Sequence, residues 1–241
     1  MEGRDDIERL VAHIRQAAFF PGLREAKMDP PYTSLPLCAI DAVFSLGAHY
    51  ESVVRTVRTW CEAQTPPWQV YGPGGELRIS DFLSAVHGQY GRDFQKLAEA
   101  GFKNRQRTSP RNGTLKAKAV VHFAEVLQRF GIETLSDAAT AADNQALRNE
   151  IKKIRGQTSG LSFDYFLMLS GHDDYVKADT MLRRFVANAV GVSFEKMTFE
   201  RTQFLVRAAA DSLKPEVPEL TVNLLDNQIW KYQRRQPASE T

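Results

Sequence analysis

Apolar residues recur along the chain at intervals of three and four, the spacing of one helix face. In DDIERLVAHIRQAA (5–18), Ile7, Leu10, Val11 and Ile14 fall at i, i+3, i+4 and i+7 behind an acidic first turn. CAIDAVFSLGAHYESVVRTVRTWCEA (38–63) predicts a core helix followed by a more amphipathic one. Ser80-Asp81 offers a cap for a helix over DFLSAVHGQYG, and further helices are expected at 93–101 and 116–130, the latter stopped by Gly131. The same pattern runs through 143–155, 161–170, 178–190 and 198–213. The tail 220–236 carries Leu224, Leu225, Ile229 and Trp230, enough to dock a last helix. Residues 21–37, with four prolines, and 65–80, broken by Pro and Gly, read as loops. Alternating strand patterns, internal repeats and low-complexity tracts are missing, so the fold class expected is all-α.

A chain of 241 residues makes one large domain or two small ones. Hydrophobic residues at 43% and charged residues at 25% exclude a disordered tail protein. Cys38 and Cys61 alone cannot build a four-cysteine zinc or iron–sulfur site, and His13, His49, His87, His122 and His172 lack ligand spacing. No metal and no cofactor are expected. The first twenty residues show helical period rather than a leader, and no run reaches the ~18 apolar residues that span a bilayer. A soluble, cytoplasmic protein with no membrane partner is expected, nucleoid-associated if the source is prokaryotic.

A net charge of +2 says little about an anionic partner, so the local distribution has to decide. FKNRQRTSPRNGTLKAK (102–118) holds Lys103, Arg105, Arg107, Arg111, Lys116 and Lys118 with no acid among them. Such a block suits phosphate contact, and it equally suits a plain solvated loop. A second cluster, Lys152, Lys153 and Arg155, closes a helix, where cations also satisfy the helix dipole.

ALRNEIKKIRGQTSGLSFDYFLMLSGHDDYVKADTMLRRFV (146–186) reads helix, glycine-bounded turn, helix, loop, then Asp-Thr opening another helix. Gly156 and Gly160 bracket Gln157, Thr158 and Ser159, which lets the backbone turn sharply and an outside group approach closely. The helix beginning at Leu161 turns its free N–H groups toward that approach, a ready place for a phosphate.

With its flanks, this stretch resembles the helix-hairpin-helix DNA glycosylase superfamily, the endonuclease III-like base-excision proteins. Members carry a hairpin of the form L-P-G-h-G-x-x-T-A, a hydrophobic helix ending near Gly, then V-D-T-H and an Arg-Arg pair. IRGQTSGLS stands at the hairpin, FLMLSG ends the second helix, and VKADTMLRRF stands at the Asp motif. Upstream, IDAVFSLGAHYESVVRTVRTW (40–60) looks like the early core helix, and GTLKAKAVVHFAEVLQRFG (113–131) like the helix after a G-x-x-x-x-K-A turn. The likeness covers about 38–190 in consistent order. Three departures alter what it implies. The hairpin is GQTSG, so either Thr158 replaces the second glycine or the turn is longer and Gly160 takes that role. Neither alignment places a lysine where lyases of the superfamily carry one: Gly160 stands there in the first, and Leu161, Ser162 and Phe163 follow the turn in the second. No cysteine quartet follows residue 190, so the iron–sulfur cluster is absent.

The resemblance makes Asp179 the catalytic candidate, a carboxylate that stabilises the cation developing on the sugar and helps activate water. On the residues alone Asp179-Thr180 reads first as a helix cap. Lys177 is a candidate phosphate contact or ion-pair partner, while Asp164, Asp173 and Asp174 read as loop or surface charges. DNA contacts are expected from Gly156, Gln157, Thr158, Ser159, Gly160, Arg105, Arg107, Arg111, Lys116 and Lys177, and the hairpin leaves room for a monovalent cation. A flipped base needs an aromatic or polar pocket. Ser45, His49, Tyr50, Trp68 and Tyr71 are its candidates, with Trp60, Phe19 and Phe20 also open, though each ring taken singly reads as core before pocket. The implied architecture is two-lobed: a helical barrel over 38–177, with the helix-hairpin-helix at about 145–171, and a second lobe of 1–37 plus 178–241. In that topology the hairpin and Asp179 face a common cleft. The function expected is a monofunctional DNA N-glycosylase, a monomer acting on damaged duplex DNA. Two alternatives stand beside it: a DNA-binding protein of the same fold without catalysis, and a helical protein-interaction domain.

Overall fold

A computed structural model describes residues 2–72 and 77–236 of the chain. Residues 73–76 of the expected 65–80 loop, and residues 1 and 237–241 of the expected second lobe, lie outside the described residues. Among the described residues the regular structure is helical: α1 (Glu2–Gln16), α2 (Leu35–Phe44), α3 (Tyr50–Glu62), α4 (Ile79–Tyr90), α5 (Phe94–Lys96), α6 (Lys116–Arg129), α7 (Leu135–Ala138), α8 (Gln145–Lys153), α9 (Leu161–Leu169), α10 (Thr180–Val190), α11 (Phe199–Leu213) and α12 (Val222–Arg235). Among the same residues extended pairing is confined to two isolated bridges, Tyr32 with Tyr71 and Arg107 with Leu115. The protein is all-α. Its contacts divide it into two compact units, Pro30–His172 and Met1–Asp29 with Asp173–Thr241, whereas the sequence reading put the division at 38 and 177.

In the unit Pro30–His172 the centre is α2. Every residue of LPLCAIDAVF is buried, as expected of a helix apolar all round, and it packs on α3, α4, α6 and α9. Trp60 of α3 closes this core, its ring centroid 5.1 Å from those of Phe82 and Phe102. Each such ring adds roughly 1.5–3 kcal/mol by leaving water. Burial pushes the Cys61 thiol up to about 12, with the Glu62 charge adding to it, and raises Cys38 likewise. Both thiols are therefore inert at neutral pH.

Two boundaries differ from the sequence reading. Helix α4 begins at Ile79, because the Asp81 carboxylate accepts from the Arg78 N–H (2.8 Å) and so stands in the third helical position rather than at the cap. The expected helix over 93–101 shrinks to α5 and then widens into a π-turn over Leu97–Gly101, with the Phe102 N–H donating to the Leu97 carbonyl (3.0 Å). A Cβ on Gly101 would stand 2.9 Å from Leu97 Cδ1, a contact that the end of the Leu97 side chain would have to shift to relieve.

In the unit formed by both chain ends, α1, α10, α11 and α12 pack around Leu10, Ile14, Leu182, Phe185, Val206 and Ile229. Phe19 and Phe20 pack against this same cluster, Phe19 lying 5.5 Å from the Tyr232 ring, which makes them core rather than pocket residues. The half-exposed Arg201 pairs with Asp6 at 2.6 Å and ties α11 to α1.

Candidate functional site

The turn between α8 and α9 is built by its two glycines. Gly156 has φ +89° and Gly160 φ +77°, the left-handed region that L side chains rarely adopt. The Gln157 N–H donates to the Ile154 carbonyl (2.9 Å), and the Gly160 N–H to the Gln157 carbonyl (3.0 Å). Thr158 and Ser159 form the exposed crown. Gly156 also answers to packing: a Cβ there would stand 2.3 Å from Thr108 Cβ. The hairpin and the basic loop are thus pressed together in one unit. Over Gly160 lies the stem of Lys152, whose Cε would be 2.8 Å from an added Cβ.

The basic loop is ordered, not loose. The Thr108 N–H donates to the Thr114 carbonyl (2.9 Å), the Lys116 N–H to the Gln106 carbonyl (2.8 Å), and Arg107 Nη1 to the Gly113 carbonyl (2.8 Å). Arg107 is therefore a brace within the loop, and Arg105 pairs with Glu99 at 3.2 Å. Arg111 is exposed.

Three expected DNA contacts are corrected. Lys116 is 2% exposed, and its Nζ donates to the carbonyls of Phe44 (2.8 Å) and Leu46 (2.7 Å) and to Gln106 Oε1 (3.0 Å). It closes the C-terminal end of α2, whose last carbonyls lack helix partners, and cannot reach a phosphate. Gln157 is wholly buried, with its side-chain amide unpartnered among the described residues, and Gly160, another expected contact, is buried beneath Lys152, so within the hairpin the crown of Thr158 and Ser159 remains for contact. Asp164, read as a loop or surface charge, lies in α9 and pairs with Arg148 at 2.7 Å, both largely buried, fastening α8 to α9.

In the other unit, Asp179 caps α10. Its Oδ1 accepts from the N–H groups of Met181 (2.8 Å) and Leu182 (3.1 Å), leaving Oδ2 outside the cap. The strap before it is anchored at four points. Arg207 Nε donates to the Asp174 carbonyl (2.8 Å), and Gln203 Nε2 to the Val176 carbonyl (3.5 Å). The Asn223 N–H donates to the Asp173 carbonyl (3.0 Å), and the Lys177 N–H to Asp226 Oδ2 (3.0 Å).

Asp226 was not singled out in the sequence, although Val222, Leu225 and Ile229 put it on the apolar face of α12. It is 4% exposed. Burial pushes its carboxyl up to about 7; the Lys177 N–H bond opposes this, the Asp179 charge adds to it, and the Lys177 charge lowers it again. Lys177 is thus half-buried beside a second carboxyl rather than extended into solvent.

The base-pocket candidates fall into separate groups. Ser45 Oγ donates to Asp41 Oδ1 (2.6 Å), Tyr32 Oη donates to Asp41 Oδ2 (2.8 Å), and Tyr71 stacks on Tyr32 with centroids 5.4 Å apart. Burial, aided by Asp41, raises the Tyr32 phenol far above its ordinary value. Trp68 instead meets the edge of Trp60 at 5.8 Å, and Trp60 is core. His49 and Tyr50 stand exposed at the head of α3.

Beside α3, Lys103 and its neighbours line a groove of about 570 Å³ together with Arg55. No three His, Cys, Asp or Glu side chains among the described residues are placed to hold a metal ion together. Among the same residues no helix is long and apolar enough to cross a membrane.

These features define an all-α protein in which a glycine-bounded helix–turn–helix carries a basic loop. Residues 8–234 match the family described as Domain of unknown function (DUF8548), and the chain belongs to that family. No curated protein and no solved structure matches it.

Proposed function

We propose that this protein is a monofunctional DNA N-glycosylase that binds damaged duplex DNA as a monomer and hydrolyses a glycosidic bond with Asp179. The reading combines the resemblance of 38–190 with one structural observation above the others. The backbone of Gly156 lies against Thr108, so a glycine hairpin and a loop bearing Arg105 and Arg111 form one continuous surface. Backbone N–H groups and guanidinium groups on one surface are what a phosphodiester chain engages. Asp179 supplies the chemistry: a carboxylate beside the sugar stabilises the cation that develops as the base departs, and it orients the attacking water. Its Oδ2, outside the cap, is the oxygen assigned to that role. The hairpin itself carries no lysine, so hydrolysis without strand cleavage is expected. A cytoplasmic or nucleoid setting follows from this role.

A panel of lesion-bearing duplexes tests the reading. The wild-type chain should release one class of base and leave an intact abasic strand that breaks only under alkali. Asp179→Asn should abolish release and keep duplex affinity within about threefold. Borohydride trapping of a protein–DNA adduct, lost in Lys152→Ala or Lys177→Ala, would replace hydrolysis by an amine mechanism. Duplex binding with no release across the panel would favour the second reading, a binding protein in which Asp179 serves only as the cap of α10.

A further inference from the structure

The groove beside α3 has the makings of a ligand site distinct from Asp179 and from the hairpin. One wall is a face of α3 bearing Ser52, Arg55 and Thr59, and the other is the short segment that begins at Lys103. That segment is held rigidly. The Asn104 N–H donates to the Ala98 carbonyl (2.8 Å), and Asn104 Nδ2 donates to Thr56 Oγ1 on α3 (2.8 Å), which pins one wall to the other. The chain reaches this position through the π-turn over Leu97–Gly101, and Lys103 itself sits at φ +47°. A lysine held in the left-handed region is uncommon, and such strain persists only where the surroundings enforce it.

Charge gives the site its sign. Arg55 and Lys103 have no acidic partner among the described residues, whereas Arg105 beyond them is already paired with Glu99. The Ser52 and Thr59 hydroxyls make no side-chain hydrogen bond among the described residues and remain available as donors. A volume of about 570 Å³ exceeds what a bare phosphate fills and lies within the usual ~300–1,000 Å³ of small-molecule sites. We propose that this groove binds a phosphate-bearing nucleotide, with Arg55 and Lys103 clamping the phosphate and the hydroxyls of α3 donating to its oxygens. The nucleotide is either free or part of a DNA strand, since the phosphate chemistry is common to both. The proposal does not depend on base release: the groove should bind its ligand equally well in Asp179→Asn.

The test is an amide NMR titration of the full chain with inorganic phosphate, with adenosine 5′-monophosphate and with adenosine, alongside duplex binding across a salt series. The monophosphate should shift the amides of 52–59 and 103–106 saturably, adenosine should not, and phosphate should do so more weakly. The double variant Arg55→Gln with Lys103→Gly should weaken monophosphate binding at least tenfold. Glycine suits the φ of residue 103, and a melting curve checks the fold. In the duplex arm the same variant should reduce the slope of log K against log salt by about 0.9, the share of the one phosphate that both side chains clamp. A saturable shift with an unchanged duplex slope assigns the groove to a free nucleotide, and a changed slope without one assigns it to the DNA strand. Absence of both overturns the proposal. The wild-type titration reads the free-nucleotide arm even if the double variant does not fold, and Arg55→Gln alone then carries the duplex arm with an expected slope loss of up to about 0.9.

Discussion

Lys116 and Asp226 are ionisable side chains on the apolar faces of their helices, and the interior accommodates them in opposite ways. Three acceptors surround the Lys116 ammonium, two of them backbone carbonyls that the end of α2 leaves open. Asp226 has one N–H donor and a neighbouring acid, so burial dominates and its carboxyl is pushed up to about 7. In the unfolded chain the same group titrates near ~3.9. Between those values the folded state holds a proton that the unfolded state releases, so stability falls as pH rises from about 4 to about 7 and is level above that. The slope from this one group reaches about 1.4 kcal/mol per pH unit. Asp226→Asn keeps an acceptor for the Lys177 N–H and should remove that component, leaving the variant more stable than wild type at pH 8 in urea unfolding. Identical pH profiles for the two proteins would show that Asp226 is charged throughout.

Helices α8 and α9 show how a short connection becomes a surface. Gly156 is required twice, by φ +89° and by the 2.3 Å approach of an added Cβ to Thr108. Gly156→Ala should therefore cost at least about 1–2 kcal/mol for the left-handed conformation alone. The clash with Thr108 adds to this, and for a chain of this size Tm should fall by at least about 2–8 °C. Thr108→Gly introduced beside it should recover the steric part and not the conformational part. A Gly156→Ala protein that melts with wild type would mean that the hairpin and the basic loop are not in contact in solution.

The whole chain is nearly neutral at +2, and within the loop 102–118 Arg105 is paired, Arg107 braced and Lys116 buried, which leaves Arg111 exposed there and Arg55 with Lys103 in the groove beside it. Long-range attraction from net charge is accordingly weak, and affinity for DNA has to come from local phosphate contacts. With about four such contacts, duplex affinity should drop roughly a hundredfold between 50 and 200 mM salt. Binding that is flat across that range would remove DNA as the partner. The family match over 8–234 extends across both units, so the hairpin with its loop and the Asp179–Asp226 pair belong to one family domain.

Helical period was enough to read the all-α class and the helices around residues 120, 150, 165, 185, 205 and 228, because each presents an apolar face that a period of 3.6 reveals. Asp179 was legible as a cap from its neighbour and from the helix that follows. Lys116 and Asp226 left a signal that could have been read, an ion at a position where the helix buries its face. Gln157 left none, since a turn flanked by glycines looks the same with that side chain outward or inward. The groove of Arg55 and Lys103, the brace made by Arg107 and the contact of Gly156 with Thr108 join residues some 6 to 48 positions apart. Local periodicity carries no record of such meetings. Only the packing of α2, α3, α6, α8 and α9 decides them, because burial and close approach are properties of the assembled core and not of any one segment.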